Sequence, residues 1–291
     1  MEISGALSEV FAALDERNNV DEQKTVDYIK FLVKNGVKAV FVGGIAAETL
    51  SFSDKEREKW LDAVKSAVGN NVPVIFQLKP SNIEELKRQI NVAEDKGVDA
   101  VSLSQPYPIP LSNNELIDYF NSACKLTSLP IMVYNEPTVG KPMDMQTLNL
   151  IIKNNGNVKF YKDSTHNMID LHGLIMQNPQ LKVLAGSDGL IFDIMNAGGK
   201  GVVSLVVNPF PELINEEVKA LQDREMEKAL ELQNKILKVR SILKEGGLTA
   251  GYRYAMELRG IDIGKAPFPY SNVNDEAKSK IKENLKELKL L

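Results

Sequence analysis

The chain has 291 residues, 43% of them hydrophobic, enough to bury one large core or two ordinary ones, and α/β barrels of this length form a single unit. Its 35 basic and 39 acidic residues are interspersed and leave a net charge of −4, so no basic stripe is available for a nucleic-acid backbone. A single cysteine, Cys124, excludes an internal disulfide and a cysteine-rich metal site, and no run of about 18 apolar residues is present to span a membrane. The opening "MEISGALSEVFAAL" lacks a basic segment, and a soluble cytoplasmic protein is expected.

In chain order, short apolar, β-branched runs fall at 3–7, 39–42, 72–76, 100–103, 130–134, 158–161, 183–185 and 202–207. Each gap has room for one helix, an alternation that predicts parallel strands with helical crossovers. Eight such runs predict an α/β fold of the (β/α)8 barrel type over 1–211. The joints "NGVKAVFV" at 35–42, "KGVDAVSL" at 96–103 and "GKGVVSLV" at 199–206 place glycine where a helix ends and valines where a strand begins. "SDKERE" at 53–58 and "SNIEE" at 81–85 predict helix starts with serine at the N-cap. Cys124 falls in a predicted helix over 115–125, where a buried apolar role is expected. Residues 211–247 read as a long helical stretch and 248–260 as another. After the loop "KAPFPY" at 265–270 a Lys/Glu-rich helix closes the chain, so 212–291 is expected to form a helical appendage on the barrel.

Reactive groups in such a barrel sit at the C-terminal strand ends. That rule selects Gly44, Ile45, Ala46 and Glu48 after the second run, Tyr107 after the fourth and Tyr134 with Glu136 around the end of the fifth. It also selects Lys162 and Ser164 after the sixth run and Gly186 and Ser187 after the seventh. Gln77 and Lys79 end the third run, and His166 lies near the mouth; Glu48 and His166 read as solvated loop residues. Lys162 taken alone reads as a solvated lysine leaving a strand. Tyr134 at the matching end of the neighbouring strand changes this, because an amine that forms an imine needs a nearby group to move protons.

These residues carry a resemblance. "VYNEPTVGK" at 133–141, "YKDST" at 161–165, "LAGSDGLIF" at 184–192 and "GGKGVVSLVVNPFPEL" at 198–213 together resemble the class I pyruvate-dependent aldolases, the family of N-acetylneuraminate lyase and dihydrodipicolinate synthase. The spacing, "YNEP", "GSD" and "APFPY" are most similar to the archaeal 2-keto-3-deoxygluconate aldolases. The resemblance implies a metal-independent, Schiff-base carbon–carbon lyase without a cofactor: Lys162 forms the imine and Tyr134 is the acid/base. It implies cleavage or formation of a 2-keto-3-deoxy sugar acid, a 2-oxo acid substrate giving pyruvate and an aldehyde, in carbohydrate metabolism. Gly44, Ile45, Ala46, Tyr107, Glu136, Ser164, Gly186, Ser187 and Val203 are then the expected substrate contacts. A homotetramer, a dimer of dimers, is implied as well, with Tyr107 as a residue that reaches a neighbouring subunit's site.

The sequence also departs from the family. The Gly-Thr-Thr-Gly turn that binds the substrate carboxylate is replaced by Gly44-Ile45-Ala46-Ala47, which keeps only backbone amides, those of Ile45 and Ala46, to hold an anion. Ile45 and Pro108 stand where dihydrodipicolinate synthases carry relay hydroxyls, and Thr138-Val139 where they carry an arginine, which argues against that activity. Glu136 replaces a second tyrosine of the archaeal aldolases; it reads as an exposed loop carboxylate or, facing the pocket, as an acceptor for sugar hydroxyls or an amine. Two alternatives remain: an imine-forming enzyme with a different 2-oxo substrate, and a barrel with a binding or regulatory role and little turnover.

Overall fold

In the computed structural model, which describes residues 2–106 and 110–291, eight parallel strands close into a barrel in sequence order. They are β1 (Gly5–Glu9), β2 (Ala39–Val42), β3 (Val74–Leu78), β4 (Ala100–Ser104), β5 (Ile131–Asn135), β6 (Val158–Asp163), β7 (Lys182–Ala185) and β8 (Gly201–Ser204). Helices α1 (Glu22–Lys34), α2 (Asp54–Val68), α3 (Ile83–Asp95), α4 (Asn113–Cys124), α5 (Met145–Asn154), α6 (Met168–Gln177), α7 (Ile191–Asn196) and α8 (Pro211–Gln222) follow the strands in turn. After them come α9 (Met226–Lys244), α10 (Ala250–Leu258) and α11 (Asp275–Glu287).

Local sequence accounts for most of these limits. Asp21, Ser53, Ser112 and Asp144 each accept a hydrogen bond from the backbone N–H three residues on, and Ser53 and Ser112 complete capping boxes with Glu56 and Glu115. Such caps contribute about 1 kcal/mol each. The start of α3 differs from the expected one: Asn82 is the cap, and Glu85 reaches back to the Ser81 N–H and hydroxyl instead. Gly36 and Gly97 take φ of 86° and 61° after α1 and α3, the left-handed turn that admits the next strand. The stretch 211–247 divides in two at Arg224, whose φ of 64° interrupts the helix, and α8 lies against β1 as the barrel's own eighth helix. Cys124 ends α4 buried, and burial pushes its thiol up to about 12.

Strand alternation sorts the core into two layers. One face of the strands packs under the helices. The other fills the barrel interior with Leu7, Phe41, Ile75, Met132, Tyr134, Phe160, Leu184 and Val203. The same parity carries Glu9, two residues beyond Leu7, and Lys162, two beyond Phe160, into the interior at its C-terminal end.

Candidate active site

Tyr134 and Lys162 are register partners on β5 and β6, as expected from their matching strand positions. Lys162 is fully buried, and its Nζ lies 3.9 Å from the centre of the Tyr134 ring and 4.7 Å from that of Phe41. The two rings meet edge to face, with centroids 6.3 Å apart. The ammonium therefore has aromatic faces on two sides, a setting that attracts a cation without consuming its N–H donors in hydrogen bonds.

The third side is occupied by Glu9. Its Oε2 accepts from Lys162 Nζ at 2.7 Å, and its Oε1 accepts from the Ala47 N–H at 3.2 Å. Taking two charges out of water costs several kcal/mol per ion, so a pair in this position needs close contact and further donors to persist. The Ala47 amide is one such donor. Gly44 makes room for the arrangement, since a Cβ there would stand 2.1 Å from Glu9 Oε1. In the turn expected to offer the amides of Ile45 and Ala46 to a substrate carboxylate, the Ala47 amide is bound to the protein's own carboxylate. Ile45 packs on the barrel's inner layer, and Ala46 is half-buried.

Sequence reading missed Glu9 because the first run appeared to end at 7. The signal was present: an acid in "GALSEVFAAL" with apolar residues on both sides is a buried charge, and buried charges are paired. Asn208 fixes the backbone at this point. Its Nδ2 donates to Glu9 O at 3.0 Å while its Oδ1 accepts from the Ser8 and Tyr28 hydroxyls.

Tyr134 carries a second carboxylate. Its hydroxyl donates to Glu136 Oε2 at 2.5 Å, and Glu136 is only 8% exposed, so the exposed-loop reading of this residue does not hold. Glu136 Oε1 accepts from the Thr138 N–H at 3.0 Å and hydroxyl at 2.8 Å, and its own N–H donates to Gln105 Oε1. Asn135 anchors the loop by accepting from Gln105 Nε2 and the Met143 N–H. Burial foremost, then the carboxylates of Glu9 and Glu136, hold the Tyr134 hydroxyl well above its ordinary range. It remains a phenol and moves a proton only by passing one on as it receives one.

The other expected contacts divide. Val203 belongs to the inner layer with Tyr134 and Leu184. Ser164 is buried with its hydroxyl on Gly186 O at 3.4 Å, and Gly186 must be glycine because a Cβ would meet Ser164 Oγ at 2.3 Å. Ser187 accepts from the Gly189 N–H and is committed to its own turn. Tyr107 lies outside the described residues. Glu48, read as solvated, is fully buried against Arg253 of α10, whereas His166 is exposed as expected. A cavity of about 600 Å³ opens over the ends of β2 to β4, lined among others by Ile45, Gln77, Lys79, Ser104 and Gln105. Among the described residues Gln77 Oε1 has no partner, and burial, followed by the charge of Arg57, lowers the Lys79 amine. Among the described residues no group of three or more His, Cys, Asp or Glu is placed to hold a metal, and no helix is long and apolar enough to cross a membrane.

The profile of the dihydrodipicolinate synthetase family matches residues 2–288. A 4-hydroxy-tetrahydrodipicolinate synthase of Bacillus subtilis is 27% identical over 291 residues, covering 99% of this chain and 100% of that one. A 2-dehydro-3-deoxy-phosphogluconate/2-dehydro-3-deoxy-6-phosphogalactonate aldolase of Saccharolobus solfataricus is 26% identical, with 98% of both chains covered. A crystal structure of a dihydrodipicolinate synthase superposes with a TM-score of 0.93 at 26% identity, over 99% of this chain and 100% of that chain.

Proposed function

We infer the chemistry of this site from one premise: the chain belongs to the dihydrodipicolinate synthetase family of class I aldolases and lyases. On that footing Lys162 is the imine-forming nucleophile of a carbon–carbon lyase, and Tyr134 moves the protons. The observation that carries the reading is the stacking of a fully buried lysine on the ring of its register partner, 3.9 Å from Nζ to the centroid.

The steps balance within the residues present. The Lys162 ammonium passes one proton to Glu9 Oε2, and the freed amine adds to the substrate's carbonyl carbon. Tyr134 relays a proton from the added nitrogen to the carbonyl oxygen. That oxygen leaves as water with the proton returned from Glu9, and a cationic imine remains beside the Glu9 carboxylate. When the bond one carbon further along breaks, the electron pair moves into the imine to give an enamine. The neighbouring hydroxyl gives its proton to Tyr134 as Tyr134 gives its own to Glu136, 2.5 Å away. An aldehyde departs, the proton returns to the enamine carbon, and water releases the lysine.

The donor read from sequence, a 2-keto-3-deoxy sugar acid, is supported by similarity to the Saccharolobus aldolase, named for two such substrates. Similarity of the same degree to 4-hydroxy-tetrahydrodipicolinate synthases supports only the shared imine step. The half-polar cavity beside the site, with Gln77 and Ser104, supports a hydroxylated tail. The homotetramer is carried forward on the exposed Ile169 and Met176, seven residues apart on one face of α6; sedimentation velocity tests it.

Borohydride reduction in the presence of 2-keto-3-deoxygluconate, pyruvate or hydroxyacetone, followed by peptide mass mapping, tests the central reading. An adduct on Lys162 is expected with at least one of them. Its absence with every carbonyl compound sinks the imine mechanism.

A further inference from the structure

We propose that Glu9 supplies from the protein the anion that a 2-oxo acid would bring to Lys162, so that the donor this site takes is an aldehyde or ketone with no carboxylate on its carbonyl carbon. The inference rests on Lys162 forming an imine and departs from the donor that similarity to the Saccharolobus aldolase supports, because the residues around Lys162 argue against a carboxylate there.

A carboxylate bonded to the carbonyl carbon has to lie close beside the nitrogen that attacks it. Beside Lys162 Nζ that volume holds Glu9: Oε2 is 2.7 Å away, Oε1 fills the hydrogen bond of the Ala47 N–H, and Gly44 leaves no clearance behind it. The Ala47 amide of the turn after β2 is thus already bound to an anion.

Lys162 carries one positive charge as ammonium and one as protonated imine, and Glu9 matches it in both states. A substrate carboxylate would be a second anion in a buried site where Glu136 already stands beyond the Tyr134 hydroxyl. The nearest buried guanidinium groups are committed elsewhere. Arg253 is held by Glu48, and Arg57 by Thr49, Asp54 and Gln77 O. Like charges brought together in such a setting cost enough to exclude a ligand.

Glu9 is also held where it stands. Asn208 pins its backbone carbonyl, and the inner wall around it is Leu7, Phe41 and Val203. Swinging aside would leave a carboxylate against apolar side chains without a cation.

The test compares wild type with Glu9→Ala and the isosteric Glu9→Gln, each reduced with borohydride in equal hydroxyacetone or pyruvate, with adducts on Lys162 counted by mass. The quantity read is the ratio of the two adducts, which cancels any general change in lysine reactivity; thermal melts establish that each variant is folded. Wild type is expected to favour hydroxyacetone by about tenfold or more, and both variants to shift the ratio towards pyruvate by a similar factor. Wild type labelled by pyruvate at least as well as by hydroxyacetone, or a ratio that neither variant moves, overturns the proposal. If wild type labels with neither compound and Glu9→Ala with pyruvate alone, Glu9 is a block on a 2-oxo acid site: the uncharged-donor proposal fails and the imine reading stands. If no protein labels with either, both fail.

Discussion

Two buried ion pairs bracket the turn after β2, and they differ in how fully the cation is used. Arg253 meets Glu48 through Nε and Nη2 and also donates to Ile263 O and Ala12 O, both at 3.0 Å, with its guanidinium 5.2 Å from the Phe11 ring centre. It ties α10 and the segment after it to the ends of β1 and β2. Lys162 donates to Glu9 and otherwise faces two aromatic rings. A saturated cation is a fastener, since any reaction would cost several bonds at once. A cation with N–H groups turned to ring faces can give up a proton and bond to carbon without dismantling the wall around it.

The largest effect should appear when the contrast is forced in paired variants. Replacing a buried ion pair by apolar groups of similar volume is often neutral, whereas orphaning buried carbonyls costs about 1–3 kcal/mol each. Lys162→Met with Glu9→Leu, which orphans only the Ala47 N–H, is therefore expected to lower the urea midpoint little while abolishing the borohydride adduct. Arg253→Met with Glu48→Gln leaves the Ala12 carbonyl unpaired, while Ile263 O keeps the Leu14 N–H, and is expected to lose about 1–3 kcal/mol. Equal losses in the two double variants would erase the distinction. Smaller in scale is Tyr134→Phe, which keeps the ring under Lys162 and removes only the hydroxyl. Turnover should fall about 10²–10⁴-fold while hydroxyacetone still traps on Lys162, though more slowly. Unchanged turnover would remove Tyr134 from the proton path.

The barrel was legible because its strands are apolar and regularly spaced, and 39–42 coincides with β2. The errors share a physical origin. β1, β3, β4, β5 and β6 all extend one or two residues past the predicted runs, into Ser8-Glu9, Gln77-Leu78, Ser104, Asn135 and Lys162-Asp163. Polar residues end an apolar run in the sequence but continue a strand in space, because the barrel mouth is where buried polar groups find partners. Lys162 and Tyr134 stood out through their setting in recognisable segments. Glu9 had no such setting and lay in the part of β1 that the apolar criterion cut away. At β8 the error is reversed: apolar residues 205–207 leave the sheet because the Leu205 and Val206 N–H groups turn to Asp188 Oδ2. Glu136 depended on a contact two residues back along its own chain, which no periodicity encodes.

Glu217 extends the comparison to a buried carboxylate with no cation at all. On α8 it is fully buried, and among the described residues neither of its oxygens has a hydrogen-bond partner. Burial first, then the carboxylates of Asp188 and Asp193, push it up to about 9, so at neutral pH it keeps its proton. Its unfolded value lies near 4.5, and between the two the folded chain binds a proton that the unfolded chain has released. Stability contributed by this group is therefore complete below about pH 4.5 and declines as pH rises towards about 9, by at most about 1.4 kcal/mol per pH unit. Glu217→Gln keeps the volume and has no proton to lose. Urea midpoints measured from about pH 5 to about pH 8 should fall for wild type and fall less steeply for the variant, with the gap widening towards alkaline pH. Parallel lines would mean that Glu217 is charged in the folded protein, a buried carboxylate held there without a cation.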